Sequence, residues 1–117
     1  MLLAVGGYLF PDLEARCIRM SSGFGGGVGG TREELCGALA GSVMLIGGLY
    51  GRTALTESTD QAYVLVKEMR RRFIERWGTS TCGPIRDWAK SAANPSGTCD
   101  VIVAETARII LQLLSDT

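Results

Sequence analysis

The chain has 117 residues, enough for one domain with a hydrophobic core of its own, so disulfide staples are not obligatory. Its 12 Lys and Arg balance 12 Asp and Glu, which removes any electrostatic case for a nucleic-acid or membrane partner. It has no histidine, which excludes Ser–His triads, Cys–His pairs, His-ligated metals and His-ligated haem.

Apolar spacing is helical nearly throughout. Residues 2–9 read as a helix, and Pro11, at a tolerated first-turn position, is expected to open a second through about Met20. The glycines from Gly23 to Gly30 end it. Thr31 followed by Glu34 has the form of a capping box, so the next helix is expected over about Arg32 to Tyr50, stopping at Gly51. Gly37 and Gly41 share one face of it, as do Gly47 and Gly51. Each glycine costs about 1 kcal/mol relative to Ala. Close approach of another helix would offset this, so the helix is expected to be central. Leu35 to Gly51 is an uncharged run of 17 residues, at the short limit for a membrane span. Its glycines and unmarked flanks favour a buried core helix.

Ser58 and Gln61 offer a second capping box, and Ala62, Val66, Met69, Phe73 and Trp77 follow as an apolar stripe up to Gly78. Glu68–Arg72 and Arg71–Glu75 are i,i+4 pairs within the basic run from Lys67 to Trp77, which reads as a solvated helix face. A short helix is expected over Pro84 to Lys90, broken by "ANPSG". Thr98 is placed to cap a last helix with Val103, Ala107, Ile110 and Leu114 as its inner stripe. No segment alternates convincingly as a strand. The expected fold class is all-α, a compact bundle of about five helices forming one domain over residues 1–117, with a glycine-rich loop between the second and third.

"GGGVGG" (Gly25 to Gly30) satisfies G-x-G-x-x-G in letters, but a dinucleotide fingerprint follows a strand and has an acidic residue about 20 residues on. Here a helix precedes the run, "LYGRT" stands where the acid should be, and the Walker lysine is missing. Such a loop can instead turn bare backbone N–H groups towards something anionic near Cys36. On the helices above, Cys36, Cys82 and Cys99 each lie within about a turn and a half of a helix N-terminus, where the partial positive charge favours thiolate. Cys17 sits mid-helix and reads as packing. No C-x-x-C pair occurs, and Glu33 and Glu34 have no second carboxylate placed for acid/base work. The N-terminus shows no basic leader or small-residue cleavage site, which points to a reducing, cytoplasmic compartment. There cysteines are more often metal-binding or catalytic than paired in disulfides.

The succession of "SGFGGGVGG", "CGALAG" (Cys36 to Gly41), Cys82 and Cys99 resembles the C_GCAxxG_C_C family, whose members are described as redox-active. The resemblance covers roughly Leu2 to Leu114. It implies a small helical domain, and a related domain is found in split-Soret cytochromes, which carry an iron–sulfur centre as well as haem. By resemblance Cys36, Cys82 and Cys99 belong to a redox or cluster-binding set. The family's first cysteine would fall at or ahead of Met1, where this chain has none, and Cys17 lies too far along to replace it. Three cysteines leave an open coordination position. Haem is not supported, since there is no C-x-x-C-H and no histidine.

The leading expectation is a redox protein binding an iron–sulfur cluster or other thiophilic metal through Cys36, Cys82 and Cys99. The backbone of Gly25, Gly26, Gly27, Gly29, Gly30 and Gly37 would approach the sulfurs. Two alternatives stand beside it. One is metal-free thiol–disulfide exchange, between Cys82 and Cys99 or between Cys36 and Cys82; the other is a non-catalytic helical dimerisation module. The expected partners are an electron-transfer protein and a second copy of the chain, with neither nucleic acid nor membrane.

Overall fold

The computed structural model describes all 117 residues. Helix α1 is π-wound over Leu2–Gly6 and α-wound over Gly7–Leu9. Helix α2 (Ala15–Ser21) runs into a 3₁₀ turn, Ser22–Phe24, and is followed after a long loop by α3 (Gly37–Tyr50). Then come α4 (Asp60–Trp77), the short α5 (Cys82–Ala89) and α6 (Asp100–Ser115). The fold is all-α, with six helices in place of about five. No strand forms; one isolated antiparallel bridge joins Leu35 and Thr81. No helix is long and apolar enough to cross a membrane.

Helices α3, α4 and α6 pack against one another in all three pairings, and α1 lies against α3. Leu39, Leu45 and Ile46 of α3, Met69 and Phe73 of α4, and Ile102 and Ile110 of α6 are fully buried between them. Burial of each such side chain contributes roughly 1.5–3 kcal/mol. On α4 the predicted stripe holds: Ala62, Met69 and Phe73 are buried, Val66 and Trp77 half-buried, and Leu65 joins them. On α6 the buried face is turned by one residue. Ile102, Thr106, Ile110 and Leu113 face inward, while Val103, Ala107 and Leu114 flank them. Thr106 fits there because its hydroxyl donates to Ile102 O at 2.6 Å, leaving no unpaired polar atom.

The close approach expected at α3 is made within the chain. A Cβ on Gly41 would stand 2.5 Å from Met1 Cβ, so only a bare backbone lets the start of α1 cross here.

Several helix starts differ from expectation. Pro11 and Asp12 form a turn, and α2 begins at Ala15. Helix α3 begins at Gly37, five residues after Arg32. Thr31 does not cap it: its hydroxyl donates to Gly27 O at 2.7 Å and accepts from Glu33 N–H at 3.3 Å, closing the glycine loop. Arg32 is left-handed (φ 64°), and Leu35 is committed to its bridge, so the helix cannot pass through them. At α4 the N-cap is Thr59, without a side-chain cap, and Ser58 makes only a local bond, its Oγ accepting from Asp60 N–H at 3.0 Å. Helix α5 starts at Cys82, two residues before Pro84. At α6 the Thr98 hydroxyl donates to Asp100 Oδ1 (2.6 Å), and that oxygen accepts from Val101 N–H (2.8 Å).

Candidate functional site

The boundary shifts bring the cysteines together. Residues 32–36 run antiparallel to residues 80–83: Cys36 N–H donates to Ser80 O, Cys82 N–H to Glu34 O, and Gly83 N–H to Arg32 O, each at 2.8 Å. Side chains alternate across such a pairing. With Leu35 and Thr81 on one face, Cys36 and Cys82 share the other as diagonal neighbours. Each then enters a helix. Cys36 is the N-cap of α3, with non-helical φ −57° and ψ 133°, and Cys82 is the first residue of α5.

Cys99 arrives by a different route. The loop after α5 is held by Asn94, buried at 5% exposure, whose Nδ2 donates to Ala89 O (2.6 Å) and Thr98 O (3.0 Å). That clamp sets Cys99 as the N-cap of α6. The three thiols line one cavity of about 330 Å³, floored by Gly37 and Gly41 and walled by Met1, Met44 and Ile102. No Asp or Glu lines it. All four cysteines are free; Cys36 and Cys82 are buried and Cys99 half-buried. The thiols surround the cavity without closing into a ligand group for a single metal ion.

The glycine loop forms the rim. Gly26, Gly27, Val28, Gly29 and Gly30 are consecutively left-handed, with φ between 59° and 74°. Gly25 and Gly26 line the cavity, as does Gly37. Gly27 is buried against the site: a Cβ there would lie 2.6 Å from Cys82 Cβ and 2.9 Å from Arg32 Cα. Gly29 and Gly30 face open space. The N–H groups of Gly25, Gly29 and Gly30 donate to Ser22, Gly23 and Gly25 carbonyls, whereas those of Gly26 and Gly27 have no backbone partner.

Over residues 1–113 the chain matches the family described as "Putative redox-active protein (C_GCAxxG_C_C)". The chain belongs to that family. Among curated proteins and solved structures nothing matches it. The cysteines of this C_GCAxxG_C_C chain that share the cavity are the three that the family resemblance singles out. Met1 lines the same cavity. Cys17 stands apart. Expected to be packed, it is exposed, because α2 is short and buries none of its residues.

Electrostatics at Cys36 also correct an expectation. Burial pushes its thiol up from the ordinary value, against the pull of the Ala38 and Leu39 amides, and the neighbouring acids Cys82 and Cys99 push the same way as burial. Neither amide closes a capping hydrogen bond on the sulfur. Desolvation therefore outweighs the helix N-terminus, and the thiol form is favoured.

One member of the site was not singled out from the sequence. Arg86 lines the cavity, and its Nε is buried with no hydrogen-bond partner. It stands four residues after Cys82 on α5, hence on the same helix face. That spacing is the signal available in the letters.

Proposed function

We propose that this C_GCAxxG_C_C protein is a cysteine-based redox protein whose cavity holds an iron–sulfur cluster through Cys36, Cys82 and Cys99. The observation that supports it is the gathering of three thiols from three helix starts around one cavity free of carboxylates. The donor set suits such a group. Three thiols spread around about 330 Å³ match a polynuclear centre better than a single ion. The partnerless amides of Gly26 and Gly27 are available to a sulfur acceptor, and so is the unpaired Arg86 Nε. When bound, the cluster would supply one-electron transfer. The chain's own part is to deliver thiolates: Cys36, whose proton burial retains, gives it up on loading, so uptake is favoured by higher pH. The apolar walls Met1, Met44 and Ile102 limit water at the sulfurs.

Anaerobic purification followed by iron and acid-labile sulfide analysis tests the reading. Both should be present in the wild type and in Cys17→Ala, and lost in Cys36→Ala, Cys82→Ala and Cys99→Ala. A protein that is metal-free in all forms and resists reconstitution sinks it. A second reading, thiol–disulfide exchange between Cys36 and Cys82, is favoured by the shared face of those residues across the Leu35–Thr81 bridge. A mild oxidant would then remove two hydrogens from the chain's mass and link those two peptides.

A further inference from the structure

We infer that Arg86 is the charge anchor of the cysteine cavity, pairing with a negatively charged group presented at Cys36, Cys82 and Cys99. A guanidinium is charged at every accessible pH, and a buried donor on a charged group is costly to leave unpaired. Among the other arginines, Arg71, Arg72, Arg76 and Arg108 each meet a carboxylate, and none has a buried side-chain nitrogen without a partner. Arg86 makes no ion pair, and its Nε is shut away from water without an acceptor. The cavity that it lines offers no Asp or Glu. A thiolate in the cavity, or a negatively charged group that the sulfurs hold, would supply the missing counter-charge. A cavity combining thiols with an unpaired cation fits an occupant that is both thiophilic and net negative.

A thiolate-ligated cluster is such an occupant, and for its redox consequence the inference rests on the reading above. A fixed positive charge favours the more negative, reduced form and so raises the midpoint potential. The electrostatic part does not depend on the cluster.

The same thiolate attacks iodoacetate and iodoacetamide, displacing iodide from each, but the reagents differ in charge, so the ratio of their rates at one cysteine reports the local field and cancels the thiolate fraction. In the metal-free protein the ratio at Cys99, the most accessible of the three, should exceed that of the same residue in urea-unfolded chain. It should fall about fivefold in Arg86→Gln, stay near wild type in Arg86→Lys, and be unchanged at Cys17. A native ratio no higher than the unfolded one overturns the assignment, and this comparison needs no variant to fold. A ratio insensitive to Arg86→Gln overturns it as well. In reconstituted protein Arg86→Gln should lower the midpoint potential, a tenfold change in the redox equilibrium corresponding to 59 mV for one electron. No iron uptake alongside an Arg86-dependent ratio removes the cluster and keeps the anchor. Iron uptake with an insensitive ratio does the reverse.

Discussion

At position 27 the loop and a site cysteine touch through bare backbone. Gly27 has φ +73°, and a Cβ added to it would meet Cys82 Cβ at 2.6 Å and Arg32 Cα at 2.9 Å. Gly27→Ala combines left-handed strain with overpacking and is expected to lose about 3 kcal/mol in urea unfolding. Gly29→Ala, with φ +61° and nothing within 4 Å, isolates the backbone part and should lose about 1 kcal/mol. Equal losses would show that the contact with Cys82 contributes nothing. Cys36 makes a second residue-scale prediction, with a definite sign. Its folded-state value is raised by burial, so the stabilising preference for the neutral thiol is fully present below the unfolded value. Above about pH 8.5 the unfolded chain ionises first and metal-free stability falls. Stepped-pH urea unfolding should show a shallower alkaline decline in Cys36→Ala; an unchanged slope contradicts the burial argument.

Among the elements, α4 was the most legible and α3 the least. The α4 stripe is long, periodic and closed by Gly78, which adopts φ +81° with its N–H on Ile74 O. Its surface pairs were also readable: Arg72 Nε meets Glu68 Oε1 at 2.9 Å, and Arg71 Nη1 meets Glu75 Oε2 at 2.8 Å. The pairing of Arg71 with Glu68 at i,i+3 adds a third, and Arg72 continues to Asp116 beside α6 at 3.4 Å. At α3 the pattern misled, because Thr31 and Glu34 make a valid local cap signal that a long-range bridge, Leu35 with Thr81, overrides. Pairing partners 46 residues apart (81 minus 35) leave no mark on local periodicity. The same blindness hid the inward Thr106 of α6, whose acceptability depends on a hydrogen bond rather than on hydropathy. The α4 cluster carries its own prediction. Hydrogen bonds from Arg71 and Arg72 hold the Glu68 carboxyl down at about 2. A depressed carboxyl stabilises the fold above its unfolded value and stops doing so as pH falls towards the folded one. Stability should therefore decline between about pH 4.5 and pH 2 in the wild type, and less steeply over that window in Glu68→Gln. Its exposure keeps the effect small and salt-sensitive, so the check belongs at low ionic strength.

Across the whole molecule, the site exists only because distant segments meet. Cys36 and Cys82 are joined by the short antiparallel pairing, and Cys99 is set by the Asn94 clamp on the far side of α5. The cysteine types and their order could be read from the letters, and so could their places near helix starts; their meeting could not, because it depends on the bridge and on the packing of α3 against α6. A reagent that needs two thiols at once tests that meeting without assuming any metal. Phenylarsine oxide condenses with two thiols, forming two As–S bonds and releasing one water. One arsenical per folded chain is expected, consuming two of the three cavity thiols and leaving Cys17 alkylatable. Because the folded chain presents the thiols already gathered, binding should raise the unfolding temperature, with up to about 2.7 kcal/mol of added stability when free reagent is 100-fold over its dissociation constant. Cys17→Ala should behave as wild type, whereas Cys36→Ala with Cys82→Ala leaves Cys99 alone and should abolish the shift. An unchanged unfolding temperature in the wild type, with every thiol still free to alkylate singly, would mean that the three sulfurs do not act as one site.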